Sequence, residues 1–171
     1  MRLRALLVGG IMLIAGVSLY SQPQHAPGVA AAGNGTVFSI DLDPSGNTAA
    51  SLGAPDDCAS VDPGGLVTLD VTAEGIAALS SDMASGGITG FAYSLNFAPD
   101  ISVVQAQHNF LLLANGGSIA DFSEPLPDLV SPWNVRVADT GHASPEEGSG
   151  VLTRVTVAVG AGGVFASQFL I

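Results

Sequence analysis

The stretch Gly87–Gln107, GITGFAYSLNFAPDISVVQAQ, constrains this chain more than any other. Phe91, Tyr93, Leu95 and Phe97 share one parity, and Ala92, Ser94 and Asn96 take the other. That period of two describes a strand buried on one face, with the aromatic stripe inward. At Ala98-Pro99-Asp100 proline removes a backbone donor and fixes φ, so pairing stops before the apolar run Ile101–Ala106 begins. The pattern predicts a β-hairpin whose aromatic side chains belong to a core.

The same alternation recurs elsewhere. Phe38, Ile40 and Leu42 share a face in Val37–Leu42, and Val67, Leu69 and Val71 oppose Thr68, Asp70 and Thr72. Near the end Val151, Val155, Val157 and Val159 face one way, and Arg154, Thr156 and Ala158 the other. Clusters of Gly, Pro, Asn, Asp and Ser separate these runs, and no long helical period occurs. Half-buried strands of this kind pair into two antiparallel sheets packed face to face, so the expected fold is an all-β sandwich. The segments 43–65, 114–133 and 139–150 read as loops, the second broken by Pro125, Pro127 and Pro132, and Phe110–Ala114 reads as a short strand or one helical turn.

Residues 1–32 read as a targeting segment rather than part of this domain, leaving 33–171 as the sandwich. Arg2 and Arg4 precede the apolar run Ala5–Tyr20, and the small residues at 29–32 offer a cleavage site near Gly33. The chain is therefore expected outside the cell or at its surface, with membrane contact only through residues 5–20 if that segment is retained. Residues 33–171 keep all fifteen acidic side chains but only Arg136 and Arg154 as cations, a charge of −13. Such a surface repels phosphate backbones, which excludes nucleic acid as a partner. Cys58 is the only cysteine, so no intrachain disulfide forms.

Three segments, Leu66–Val71, Ile88–Ala106 and Gly148–Val157, resemble the cohesin-like modules, jelly-roll sandwiches related to cellulose-binding modules. The shared pattern is an early strand, then a glycine followed by alternating aromatic residues, a proline turn and a V-V strand, and later a G-x-L strand. The resemblance spans roughly residues 36–160. It implies a jelly roll that either lacks its last strand or finishes on residues 164–171, and a non-catalytic module that attaches a dockerin-type partner in extracellular polysaccharide-degrading assemblies such as cellulosomes. Two rival roles belong to the same fold: a carbohydrate-binding module, and a structural surface or adhesion domain. Sugar binding needs exposed aromatic rings, and parity leaves Trp133, Phe122 and Phe110 as the candidates. For a protein partner the candidates are Ser94, Asn96, Arg154 and Trp133.

Asp41, Asp43, Ser45 and Asn47, with Gly46, match the opening of a calcium loop and are candidate ligands for the one cofactor considered. Leu52 stands where that pattern needs a bidentate glutamate, so the segment reads first as an Asx-rich turn, with calcium as the alternative. Asp56, Asp57 and Cys58 lack a neighbouring histidine and do not form a zinc pattern. His25, His108 and His142 are scattered and read as solvated or structural. Gly116–Ala120 lacks the final glycine of a nucleophile elbow, and adjacent Glu146 and Glu147 read as solvated loop charge, so no hydrolase is expected.

Overall fold

The computed structural model describes residues 35–80, 86–114, 116, 118–141 and 145–162. The targeting segment, His25, His142 and the expected strand at 164–171 lie outside the described residues. Seven strands form in chain order: β1 (Val37–Asp41), β2 (Leu66–Ile76), β3 (Gly90–Leu95), β4 (Ile101–Gln107), β5 (Ile119–Asp121), β6 (Trp133–Asp139) and β7 (Gly148–Val159). They make two antiparallel sheets, ordered β1-β2-β7-β4 and β3-β6-β5. Leu111–Leu113 forms a 3-10 turn, which answers the open reading of that segment.

The two sheets meet through side chains that parity assigned inward together with others, Trp133 among them, that it did not. Leu69, Val71, Val103, Val155 and Val157 of the four-stranded sheet pack with Leu95, Trp133, Val135 and Val137 of the other, and Phe91 and Tyr93 lie against them. Burying apolar area at about 25 cal/mol per Å² drives this contact. A register shift opposite Val71/Thr72 carries Leu152 past its neighbours in β7. It joins a second apolar cluster with Ala73, Ile76 and Leu111.

The expected hairpin does not form. β3 pairs with β6 and β4 pairs with β7, so the two strands belong to different sheets. The turn is real, closed by Ile101 N–H donating to Ala98 O at 3.0 Å. It carries the chain from one layer to the other instead of back along the same ladder. Inward parity is identical in both arrangements, so the alternation itself could not separate them. The loop reading of 114–133 is corrected as well, because β5 lies within it. Further along, Asp128 and Val103 exchange backbone hydrogen bonds at 2.9 Å, covering part of the exposed edge of β4.

Between β1 and β2 the long connection folds back over the four-stranded sheet. Leu42 N–H donates to Asp56 O at 2.8 Å and Val151 N–H to Thr48 O at 3.0 Å. Gly150 permits this approach, since a Cβ there would collide with the Ala49 carbonyl. Gly150→Ala is therefore expected to cost about 1–3 kcal/mol through overpacking. Urea unfolding checks it: the midpoint should fall while the slope stays unchanged.

Candidate functional site

The outer face of the β3-β6-β5 sheet can be built row by row from the register. Gly90, Ala138 and Ala120 form one row, because Ala138 pairs with both of the others. Ala92 stands opposite Arg136, and Ser94 opposite Asn134. Pairing continues past β5, as Phe122 N–H donates to Arg136 O at 2.8 Å and Glu124 N–H to Asn134 O at 3.0 Å. Directly opposed residues in an antiparallel pair share a face. Phe122 therefore extends the Ala92–Arg136 row and Glu124 the Ser94–Asn134 row.

The two rows differ in chemistry. Ser94 Oγ donates to Asn134 Oδ1 at 2.6 Å, while Asn134 donates its backbone N–H to Glu124 Oε2 at 2.7 Å and its side-chain amide to Oε1 at 3.1 Å. These bonds from Asn134, with Arg136 adding a smaller attraction, hold the Glu124 carboxyl below its usual pKa. Beside this fixed polar row, Phe122 remains 70% exposed and Arg136 also faces solvent. Gly90, Ala92, Ala120 and Ala138 place almost nothing between them and the sheet. The result is a shallow floor with an aromatic ring and a cation rising from it.

Part of the opposite outer face, by contrast, is occupied by the chain itself. Arg154 makes a bidentate pair with Asp70, Nε–Oδ1 and Nη2–Oδ2 both at 2.8 Å, and its guanidinium lies 4.9 Å from the centre of the Phe110 ring. Nη2 also reaches the carbonyl oxygens of Pro44 and Asn47 at 3.4 and 3.5 Å. As a partner-binding candidate Arg154 is thus largely committed internally, clamping the β1–β2 connection to the sheet.

The candidate calcium residues belong to the same clamp. Asp41 accepts from Asp43 N–H and Asp56 N–H through Oδ1 at 3.0 and 2.9 Å, and from Asn47 Nδ2 through Oδ2 at 2.8 Å. Asn47 donates also to Asp70 Oδ2 at 3.1 Å and accepts from Gly53 N–H at 2.7 Å. The Asp43 carboxyl accepts from Ser45 N–H and Oγ, which lowers its pKa. These bonds have the geometry of an Asx turn, with N–H donors filling the oxygens that a cation would need. Among the described residues no group of three or more His, Cys, Asp or Glu side chains is arranged to hold a metal.

Two further expectations about exposure are overturned. Trp133 is 0% exposed; it shares parity with Val135 and Val137 on the inner face of β6, and its Nε1–H donates to Glu124 O at 3.1 Å. An aromatic ring with a single donor fits an interior edge where one carbonyl is within reach. Glu146 is 1% exposed and bridges to Ile88 through backbone bonds, so only Glu147 is solvated. Phe110 is half-buried against Arg154, Asn96 is exposed beside Ser94, and Cys58 is exposed and free.

A second polar group lies between the sheets. His108 is buried at the end of β4, with Nδ1 3.2 Å from Thr153 Oγ1, Nε2 3.4 Å from Asp121 Oδ2 and its ring 5.7 Å from that of Trp133. The order hydroxyl, imidazole, carboxylate has the outline of a nucleophile relay, but Thr153 is fully buried, with its hydroxyl closed off from solvent. Sequence reading missed this cluster because its members are spread over three strands and the residue after β4.

The geometry thus defines an all-β protein of two packed antiparallel sheets with one shallow, small-residue outer face. No protein-family model, characterised protein or solved structure matches the chain.

Proposed function

We propose that the chain is an exported, non-catalytic binding module of cohesin-like, jelly-roll type, which attaches a protein partner through the outer face of the β3-β6-β5 sheet. The carrying observation is Phe122, 70% exposed beside Arg136 above the small residues Ala92, Ala120 and Ala138. An aromatic ring and an arginine side by side are side-chain types enriched at protein interfaces. The cohesin-like motifs support the same reading, since they fall on β2, β3, β4 and β7.

The partner that fits is a protein surface of net positive charge with an apolar side chain to cover Phe122. Fifteen acidic residues against two cations in residues 33–171 steer a basic surface inward, and Arg136 is partly balanced by Glu124. Sugar binding is the second reading. Among the described residues it rests on Phe122, because Phe91, Tyr93, Phe97 and Trp133 pack with the core and Phe110 is half-buried against Arg154.

Pull-down from the secretome of the source cells tests the proposal. The wild-type chain should retain a dockerin-bearing protein, and Phe122→Ala should weaken that complex about 30-fold, the loss of a 2 kcal/mol anchor. Its folding stability should stay within about 0.5 kcal/mol of wild type, as for exposed sites. Retention on insoluble polysaccharide that depends on Phe122 would replace the protein-binding reading by the carbohydrate one. Recovery of no dockerin-bearing protein would leave the structural role.

A further inference from the structure

We infer that His108 is a proton-sensitive tie between the two sheets that sets the position of the β5 edge carrying Phe122. The inference rests on reading the Phe122 face as the docking surface, because it supplies that face with a control.

His108 is a polar connection between sheets that pack on each other mainly through apolar side chains. It follows β4 of the four-stranded sheet and touches Thr153 of β7 in the same sheet. Across the seam it meets Asp121 of β5 and Trp133 of β6. From β3 the Tyr93 hydroxyl, buried beside Thr153 without a well-formed hydrogen bond, completes the surroundings. Among the described residues, the titratable groups facing this cluster are therefore one carboxylate and one phenol. Arg154, next to Thr153 in β7, turns to the other face of the sheet and is bound to Asp70.

In the neutral form Nε2–H points at Asp121, and Nδ1 accepts the Thr153 hydroxyl hydrogen. A second proton at Nδ1 forces that hydroxyl to turn from donor to acceptor and places a cation against Trp133 in the interior. Burial opposes the charge more strongly than Asp121 favours it, so the imidazole titrates below its ordinary value. Asp121 remains ionised through this range. Burial raises its pKa, but hydrogen bonds from Ser123 and the attraction of His108 together hold it below the usual carboxylate value. The sign follows: the folded state binds the proton less tightly than the unfolded chain. Stability is complete above about pH 6.5, the unfolded pKa, and falls with pH down to the folded value.

A folded chain relieves the cost by letting the imidazolium follow Asp121 toward solvent. Asp121 is free to lead, because its side chain is 43% exposed and β5 is a three-residue edge strand bonded only to β6. Phe122 is the next residue. Movement of Asp121 thus displaces the anchor of the proposed face.

Trp133, the only tryptophan, reports this directly because its ring lies 5.7 Å from that of His108, tilted by 32°. In the full chain, fluorescence followed from pH 7.5 to 5 should show one reversible quench with a midpoint below 6.5. The quench should vanish in His108→Gln, and in Asp121→Asn, a milder change at an exposed side chain, the midpoint should move lower. Hydrogen exchange over the same range should show lost protection at the Phe122 and Glu124 amides with β2–β7 amides unchanged. An absent titration, a titration that survives His108→Gln, or equal loss of protection in both sheets would overturn the inference. Failure of Phe122→Ala to weaken a complex at pH 7.5 sinks the docking reading and leaves these signals unchanged, so the two can fail separately.

Discussion

Replacing Arg154 with alanine is expected to cost about 3 kcal/mol or more of folding stability, the largest polar effect in the molecule. Asp70 is 0% exposed, and its two oxygens are held by Arg154 and by Asn47. Without the guanidinium a carboxylate stays buried with one neutral partner and faces Asp41 through the amide they share. The Arg154 side chain is 28% exposed, which places the cost toward the low end of a broken buried pair. Urea unfolding measures the loss. A paired change, Asp70→Leu with Arg154→Leu, should recover most of it, because no buried charge is then left alone. If Arg154→Ala unfolds within 0.5 kcal/mol of wild type, on the order of a surface substitution, the clamp is not a stabilising element.

Trp133→Ala is expected to cost about 3–5 kcal/mol, the range for deleting a large aromatic from a core. The ring fills the space between Leu95, Val135 and the four-stranded sheet, and its loss also leaves the Glu124 carbonyl without the indole donor. Trp133→Phe keeps most of the volume and should cost clearly less. Thermal and urea unfolding of the two variants check the ranking. Binding gives the opposite contrast: Phe122→Ala spares stability and weakens the complex, and a Trp133 variant that folds keeps the partner.

Much of this was written in local pattern. The inward set at Phe91, Tyr93, Leu95 and Phe97 follows from a period of two, which needs no knowledge of partners. Burial of Trp133 was equally within reach, since it alternates with Val135 and Val137, but the prolines before it suggested an exposed loop. Pairing was a different matter. Ala98-Pro99-Asp100 makes a turn in either topology, and only the rest of the chain decides whether the next strand joins the same sheet. The His108 cluster left no trace at all, because its residues lie far apart in sequence and meet only through pairing. Glu146 likewise reads as solvated beside Glu147 until the backbone bridge to Ile88 draws it inside.

The candidate face divides in the same way. Sequence named Ser94 and Phe122, the one as the outward member of an alternating strand and the other as an aromatic outside the stripe. What it could not supply was Arg136, Ala92 and Ala138 beneath and beside that ring, which come from the pairing of β6 with both β3 and β5.

By itself the sequence determined that this chain is all-β, acidic and packed through alternating apolar faces, because strand parity and charge are local or additive properties. Tertiary structure decided which strands share a sheet, that Arg154 is a clamp, and that Phe122 is left exposed beside Arg136. Those depend on register between distant segments, where the energy lies in contacts that no single segment contains.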